Sequence, residues 1–217
     1  MIDLRSTILA SAPLVFGLAC GPAAAADASA DRVVNIALED QFKNRHETLR
    51  YGGDVVVLVF AERKGAEAAL ELGRRLHVRF HPTATAAPAT EWSRQPVVGP
   101  VGWPTGIAPP DVHVIPIACL PEVPKALEAV ARSRFRKESP FVPVWLDFED
   151  VMRQRFGIVP DEPNVVLLDT AGRPRDVVSG HLDEVRFAEV VAAVDQLRLQ
   201  ALQARSAAIP AAATAVR

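Results

Sequence analysis

Apolar residues along the chain fall into short runs that switch between the periods of strands and helices. Asp54-Val-Val-Val-Leu-Val-Phe60 is a continuous β-branched run, entered through Gly52-Gly53. Such a run predicts a strand buried on both faces, as in a parallel or mixed sheet. Ala66 to Leu76 follows with helical spacing. Ala66, Ala69, Leu70, Gly73 and Leu76 share one side, and Glu67, Glu71, Arg74 and Arg75 lie largely on the other. Residues 82–110 fit no period and hold seven prolines, with Trp92 and Trp103 between them, which predicts one long loop.

Val112 to Ala118 reads as a second strand. Pro116 inside it has no amide to donate, which predicts an edge position or a bulge. Pro124 suits the first turn of a helix from Lys125 to about Phe135, with Leu127, Val130, Ala131 and Phe135 as its apolar face. Phe141 to Asp147 is a short strand interrupted by Pro143, and Asp147 can cap a short helix that Gly157 ends. Val165 to Asp169, the turn Thr170-Ala-Gly-Arg173 and Asp176 to Ser179 form a hairpin. The last helix, Leu182 to about Leu199, buries Val185, Phe187, Val190, Val191, Val194 and Leu197. The order β-α-β-α-β-α-β-β-α predicts an α/β three-layer sandwich. Its mixed central sheet carries helices on both faces and ends in a β-hairpin plus helix.

The ends read differently. Residues 1–26 have the pattern of an export signal: an apolar run from Ile8 to Leu18 after Arg5, then Ala24-Ala25-Ala26 before Asp27. That places the protein in the periplasm or cell envelope. Gly17-Leu18-Ala19-Cys20 offers lipidation at Cys20 as a second reading, with Gly17 where leucine is wanted, and only that reading attaches the chain to a membrane. The domain is expected to span 27–199, and the alanine-rich stretch 200–217 to be a disordered tail.

Composition narrows the chemistry. The chain has 217 residues, 49% of them hydrophobic and 23% charged, which is one globular domain plus tails. A net charge of -2 supplies no basic field for nucleic acid. Two cysteines, Cys20 and Cys119, exclude a CxxC dithiol, a four-cysteine zinc site and a disulfide scaffold. No glycine-rich phosphate loop stands out, and no cofactor is expected.

Three local sequences carry a family resemblance. Asp40-Gln41-Phe42 precedes Leu49-Arg50-Tyr51-Gly52-Gly53-Asp54 and the first core strand; Pro143-Val-Trp-Leu-Asp147 precedes Gln154-Arg-Phe-Gly-Ile158; Pro163-Asn-Val-Val-Leu-Leu-Asp169 precedes Gly172. In this order they resemble the thioredoxin-like redoxins, the peroxiredoxins and periplasmic thiol-disulfide proteins. The resemblance implies a thioredoxin-like fold over roughly Asn35 to Leu197 and a catalytic cysteine just after the first core strand. There the start of a helix lowers a thiol's pKa. This chain has Ala61-Glu62-Arg63-Lys64-Gly65-Ala66-Glu67-Ala68 at that place, without a nucleophile. The resemblance also implies that Pro163 is cis and faces the helix start. Glu62, Arg63, Lys64, Gly65 and Ala66 would then frame a peptide-sized groove with Glu162, Pro163 and Asn164, open to a protein or peptide partner.

The remaining candidates are few. Cys119 ends the second strand, where α/β sheets carry ligand sites, so it is the one residue on which an atypical thiol oxidoreductase or peroxidase could rest. A lone cysteine is more often a small buried apolar group. His77 and His81 are four apart but straddle a helix end before Pro82, and are expected on a solvated face. His113 and His181 are isolated. Arg132-Ser-Arg-Phe-Arg-Lys137 is a basic cluster at a helix C-terminus, where the helix dipole favours cations. The sequence thus favours a binding or assembly module without redox chemistry over an enzyme that uses Cys119.

Overall fold

The seven residues of β3 (Val55–Ala61) are all buried, as their unbroken apolar run requires. The computed structural model describes residues 32–214, with side chains through 206. The export signal at 1–26 and Cys20 lie outside the described residues. Beside β3 lie β4 (Val112–Cys119), parallel to it, and β6 (Asn164–Leu168), antiparallel. The full sheet adds β1 (Ala37–Asp40), β2 (Arg45–Glu47), β5 (Trp145–Asp147) and β7 (Pro174–Ser179) in the order β2-β1-β5-β4-β3-β6-β7.

Alternation along β3 separates two cores. Val55, Val57 and Val59 meet Leu72, Leu76 and Phe80 of α1 (Ala66–Phe80) and Val190, Val194 and Leu197 of α4 (Glu184–Thr214). Val56, Leu58 and Phe60 meet Ile36, Trp145 and Met152, the last from α3 (Val151–Phe156). Helix α2 (Glu128–Glu138) follows β4. This is the expected three-layer sandwich with a mixed sheet and a terminal hairpin plus helix.

Several elements depart from the sequence expectation. The hairpin β1–β2 is too short to show a period. It turns on the Asp40 carboxylate, which accepts from the amides of Phe42 (2.8 Å) and Asn44 (2.9 Å). Helix α1 buries Leu72 and leaves Leu70 exposed, and α4 leaves Val185 exposed. Only part of the predicted face of α2 is buried: Leu127, just before the helix, and Val130 are exposed, Ala131 and Phe135 are half-buried, and Arg132 is 7% exposed. Arg132 donates to the Asp40 carbonyl (2.6 Å) and pairs with Glu39 (2.9 Å), and Arg136 donates to the Gln41 carbonyl (2.8 Å). The basic cluster is therefore a docking device for the end of β1. Helix α4 continues to Thr214 where the expected domain stopped at Leu199, and Ala201 is still buried. The 82–110 loop is pinned by Arg198, 1% exposed, which donates to the carbonyls of Val98 (2.7 Å) and Pro110 (3.0 Å).

β4 is interior in the strand order, yet Pro116 stands where its pairing with β5 stops, so the expected edge position holds for that half of the strand. β5 pairs with β4 only from Ile117↔Trp145 to Cys119↔Asp147. With Leu120 N donating to the Asp147 carbonyl (2.7 Å), the even residues of β4 face β5. One further step of that ladder needs the Pro116 amide, and the next needs the Pro143 amide. Neither exists. The predicted strand from Phe141 therefore shortens to Trp145–Asp147.

After β5 the fully buried Asp147 side chain holds the start of α3. Its carboxylate accepts from the amides of Glu149 (3.2 Å), Val151 (2.9 Å) and Met152 (2.8 Å). Asp147→Ala leaves those donors without their acceptor and should cost about 2–3 kcal/mol, read from the urea midpoint. A loss under about 0.5 kcal/mol would contradict this capping role.

Candidate functional site

The turn after β3 and the turn before β6 converge as the resemblance implies, but they touch. A Cβ placed on Gly65 would lie 2.8 Å from the backbone carbon and oxygen of Glu162, so only glycine lets the two chains meet there. Lys64 bridges to Asp161 (2.8 Å), and Arg153 pairs with Glu62. The segments Glu62–Ala66 and Glu162–Asn164 thus meet at Gly65, and none of their residues lines the two cavities described below. Pro163 is trans, since no peptide bond among the described residues is cis. The loop closes by other means. Asp161 takes φ +64°, and Asn164 donates to the carbonyls of Glu162 (2.9 Å) and Val159 (3.2 Å) while accepting from the Val159 amide (2.9 Å).

Cys119 ends β4 as expected. It is 2% exposed and packs in the core that holds Trp145 and Met152. Burial pushes its thiol up to about 12, helped by the carboxylates of Asp147, Asp150 and Glu62. A nucleophilic cysteine requires the opposite surroundings.

The histidines gather where sequence spacing did not place them. Four of the five in the chain, His46, His77, His81 and His113, line one cavity of about 270 Å³ beside the unpaired half of β4. His77 and His81 are buried, not solvated, with rings stacked at 4.3 Å. His77 Nε2 donates to the Trp92 carbonyl (3.0 Å), and its ring lies 3.9 Å from that of Trp92. Burial brings the His77 pKa down from 6.5 to about 4. Both ring nitrogens of His81 face acceptors, the His77 carbonyl (3.1 Å) and Asp111 (2.9 Å).

On the other face of the sheet, His46 Nε2 bonds Asp40 (2.8 Å) and stacks on Trp145, while His113 Nε2 bonds Asp54 (3.0 Å) and its ring leans on Tyr51. Burial works to raise the Asp40 carboxyl, but hydrogen bonds from His46, Asn44 and Phe42 outweigh it and hold the group below its usual range. Asp111 is lowered likewise, with bonds from His81 and the Val112 amide outweighing burial. Each carboxylate orients a ring and occupies one of its nitrogens. No group of three or more histidine, cysteine or acidic side chains among the described residues could hold a metal.

Sequence reasoning missed His46, Asp54, Tyr51 and Asp111. The signal was slight: a histidine one residue into a strand, with an aspartate just before it.

No protein-family model matches the chain, and no curated protein matches it in sequence. Among solved structures it is similar to an exposed lipoprotein thioredoxin of Streptococcus pneumoniae, with TM-score 0.48 and 13% identity, covering 75% of this chain and 99% of that one. It is similar to a secreted thiol-disulfide isomerase of Corynebacterium glutamicum, with TM-score 0.47 and 18% identity, covering 76% and 84%. It is also similar to a peroxidoxin of Mycobacterium tuberculosis, with TM-score 0.45 and 16% identity, covering 77% and 96%.

The buried His77 gives a pH signature. The unfolded chain takes up its proton as pH falls through 6.5, and the folded chain only near 4. Stability should therefore fall as pH drops between those values, and His77→Phe should flatten the slope of the urea midpoint over that range. Asp40 and Asp111, both lowered from 3.8, act below it. An unchanged slope in the variant would show that His77 is not the group responsible.

Proposed function

We propose that this thioredoxin-like domain is an exported binding or assembly module without thiol chemistry. The observation that carries the reading is the state of its cysteines. No thiol stands in Ala61–Ala68, and Cys119, the one free cysteine among the described residues, is buried. Burial pushes the Cys119 thiol up to about 12, so it stays protonated at neutral pH. Thiol exchange needs an accessible thiolate and a resolving thiol. Near the helix start, Glu62 pairs with Arg153 and Lys64 with Asp161.

Export rests on the pattern of residues 1–26. No helix among the described residues is long and apolar enough to cross a membrane, and the lipidation reading of Cys20 would attach the chain to one. A protein or peptide is the partner class that the redoxin resemblance implies.

The folded chain should resist a maleimide reagent at Cys119 and react fully once unfolded in urea, as read by mass spectrometry. It should consume neither peroxide nor a dithiol substrate. Peroxide consumption that Cys119→Ala abolishes would overturn the proposal and restore the enzymatic reading.

A further inference from the structure

The half of β4 that β5 leaves uncovered is a strand edge with its hydrogen-bonding groups unpaired. Val55 N donates to the Asp111 carbonyl (2.9 Å), so the odd residues of β4 bond β3 and the even ones face outward. Ala118 faces β5. The Val112 amide is taken by the Asp111 carboxylate (2.6 Å). The Val112 carbonyl and the amide and carbonyl of Val114 have no hydrogen-bond partner among the described residues. Unpaired groups at ladder spacing are a template for another extended backbone.

The side chains beside that edge suit a strand. Val114 and Pro116 rim both the imidazole-lined cavity and a second one of about 490 Å³. The second cavity is lined by Ala69, Gly73, Phe141 and Val144, and it lies on the α1 face. His46, Tyr51 and His113 line the first from the opposite face. An added strand points successive side chains to opposite faces, one into each cavity. The apolar cavity takes an aliphatic residue. Around the imidazoles, Asp40 and Asp54 stand behind His46 and His113, and Asp111 lines the cavity, against one cation, Arg94. That balance favours a basic residue.

We propose that an extended partner peptide with alternating aliphatic and basic residues adds as a strand at Val112–Pro116 of β4. This names a site and a partner chemistry for the binding module, and rests on that reading. Thiol turnover by the chain would defeat the module reading without touching strand addition.

The test uses the full chain and an acetylated, amidated (Val-Lys)₃ hexapeptide followed by NMR. The peptide should bind, slow the exchange of the Val114 amide and shift the signals of His46 and His113. A (Val-Glu)₃ peptide should bind more weakly. Backbone N-methylation at either the three valines or the three lysines removes donors from one edge of the peptide, so one of those two isomers should lose about tenfold in affinity. The proposal fails if millimolar (Val-Lys)₃ does not bind, if both N-methyl isomers bind as the parent does, or if the shifts centre on Lys64 and Gly65. It also fails if the Val114 amide of the free chain is protected at high concentration and released on dilution, because a second copy would then occupy the edge.

Discussion

Pro116 on β4 and Pro143 before β5 face each other across the ladder that β5 would otherwise extend. Each removes one of two consecutive amide donors, so β5 begins at Trp145. The buried Gln41 side chain completes the separation. It donates to the carbonyls of Ser139 (2.7 Å) and Val142 (3.0 Å) and accepts from the Val144 amide (2.8 Å), fastening the segment before β5 to the end of β1. The gap admits the imidazole cavity, exposes three backbone groups of β4 and lets two cavities meet at Val114.

At the end of β3 the turn after the strand meets the turn before β6. Where the redoxin resemblance implies a thiolate, a glycine allows two turns to pack against each other, and the Lys64–Asp161 ion pair bridges them. The Cys119 thiol sits in the core that also holds Trp145, near carboxylates that oppose its ionisation. Polar groups have instead collected on the neighbouring flank. There Asp40, Asp54 and Asp111 each hold a histidine ring, and Asp40 also shapes the first hairpin.

The core was legible in the sequence because it obeys period and propensity. The β-branched run of β3, the hairpin at Gly172 and the apolar face of α4 stand in the structure close to where the pattern puts them. What escaped depends on contacts distant in sequence. Nothing local reveals that Arg132 is buried against the end of β1, or that Arg198 reaches back to Pro110. The histidine cavity draws on five separate segments, so spacing along the chain carries no trace of it. The prolines were visible as strand breakers, but their effect lies in their register across two strands, which only pairing reveals. The close approach at Gly65 and the trans bond before Pro163 likewise follow from tertiary contact.

Native-state hydrogen exchange of the free, dilute chain tests the central claim most directly. In a strand paired on both sides, adjacent amides exchange alike; in one paired only toward β3, they alternate. The amide of Val114 should exchange at least about 100-fold faster than those of His113 and Ile115, which β3 holds. Equal protection of Val114 and Ile115 would mean that the edge is already covered, and the account of β4 as an open docking strand would be wrong.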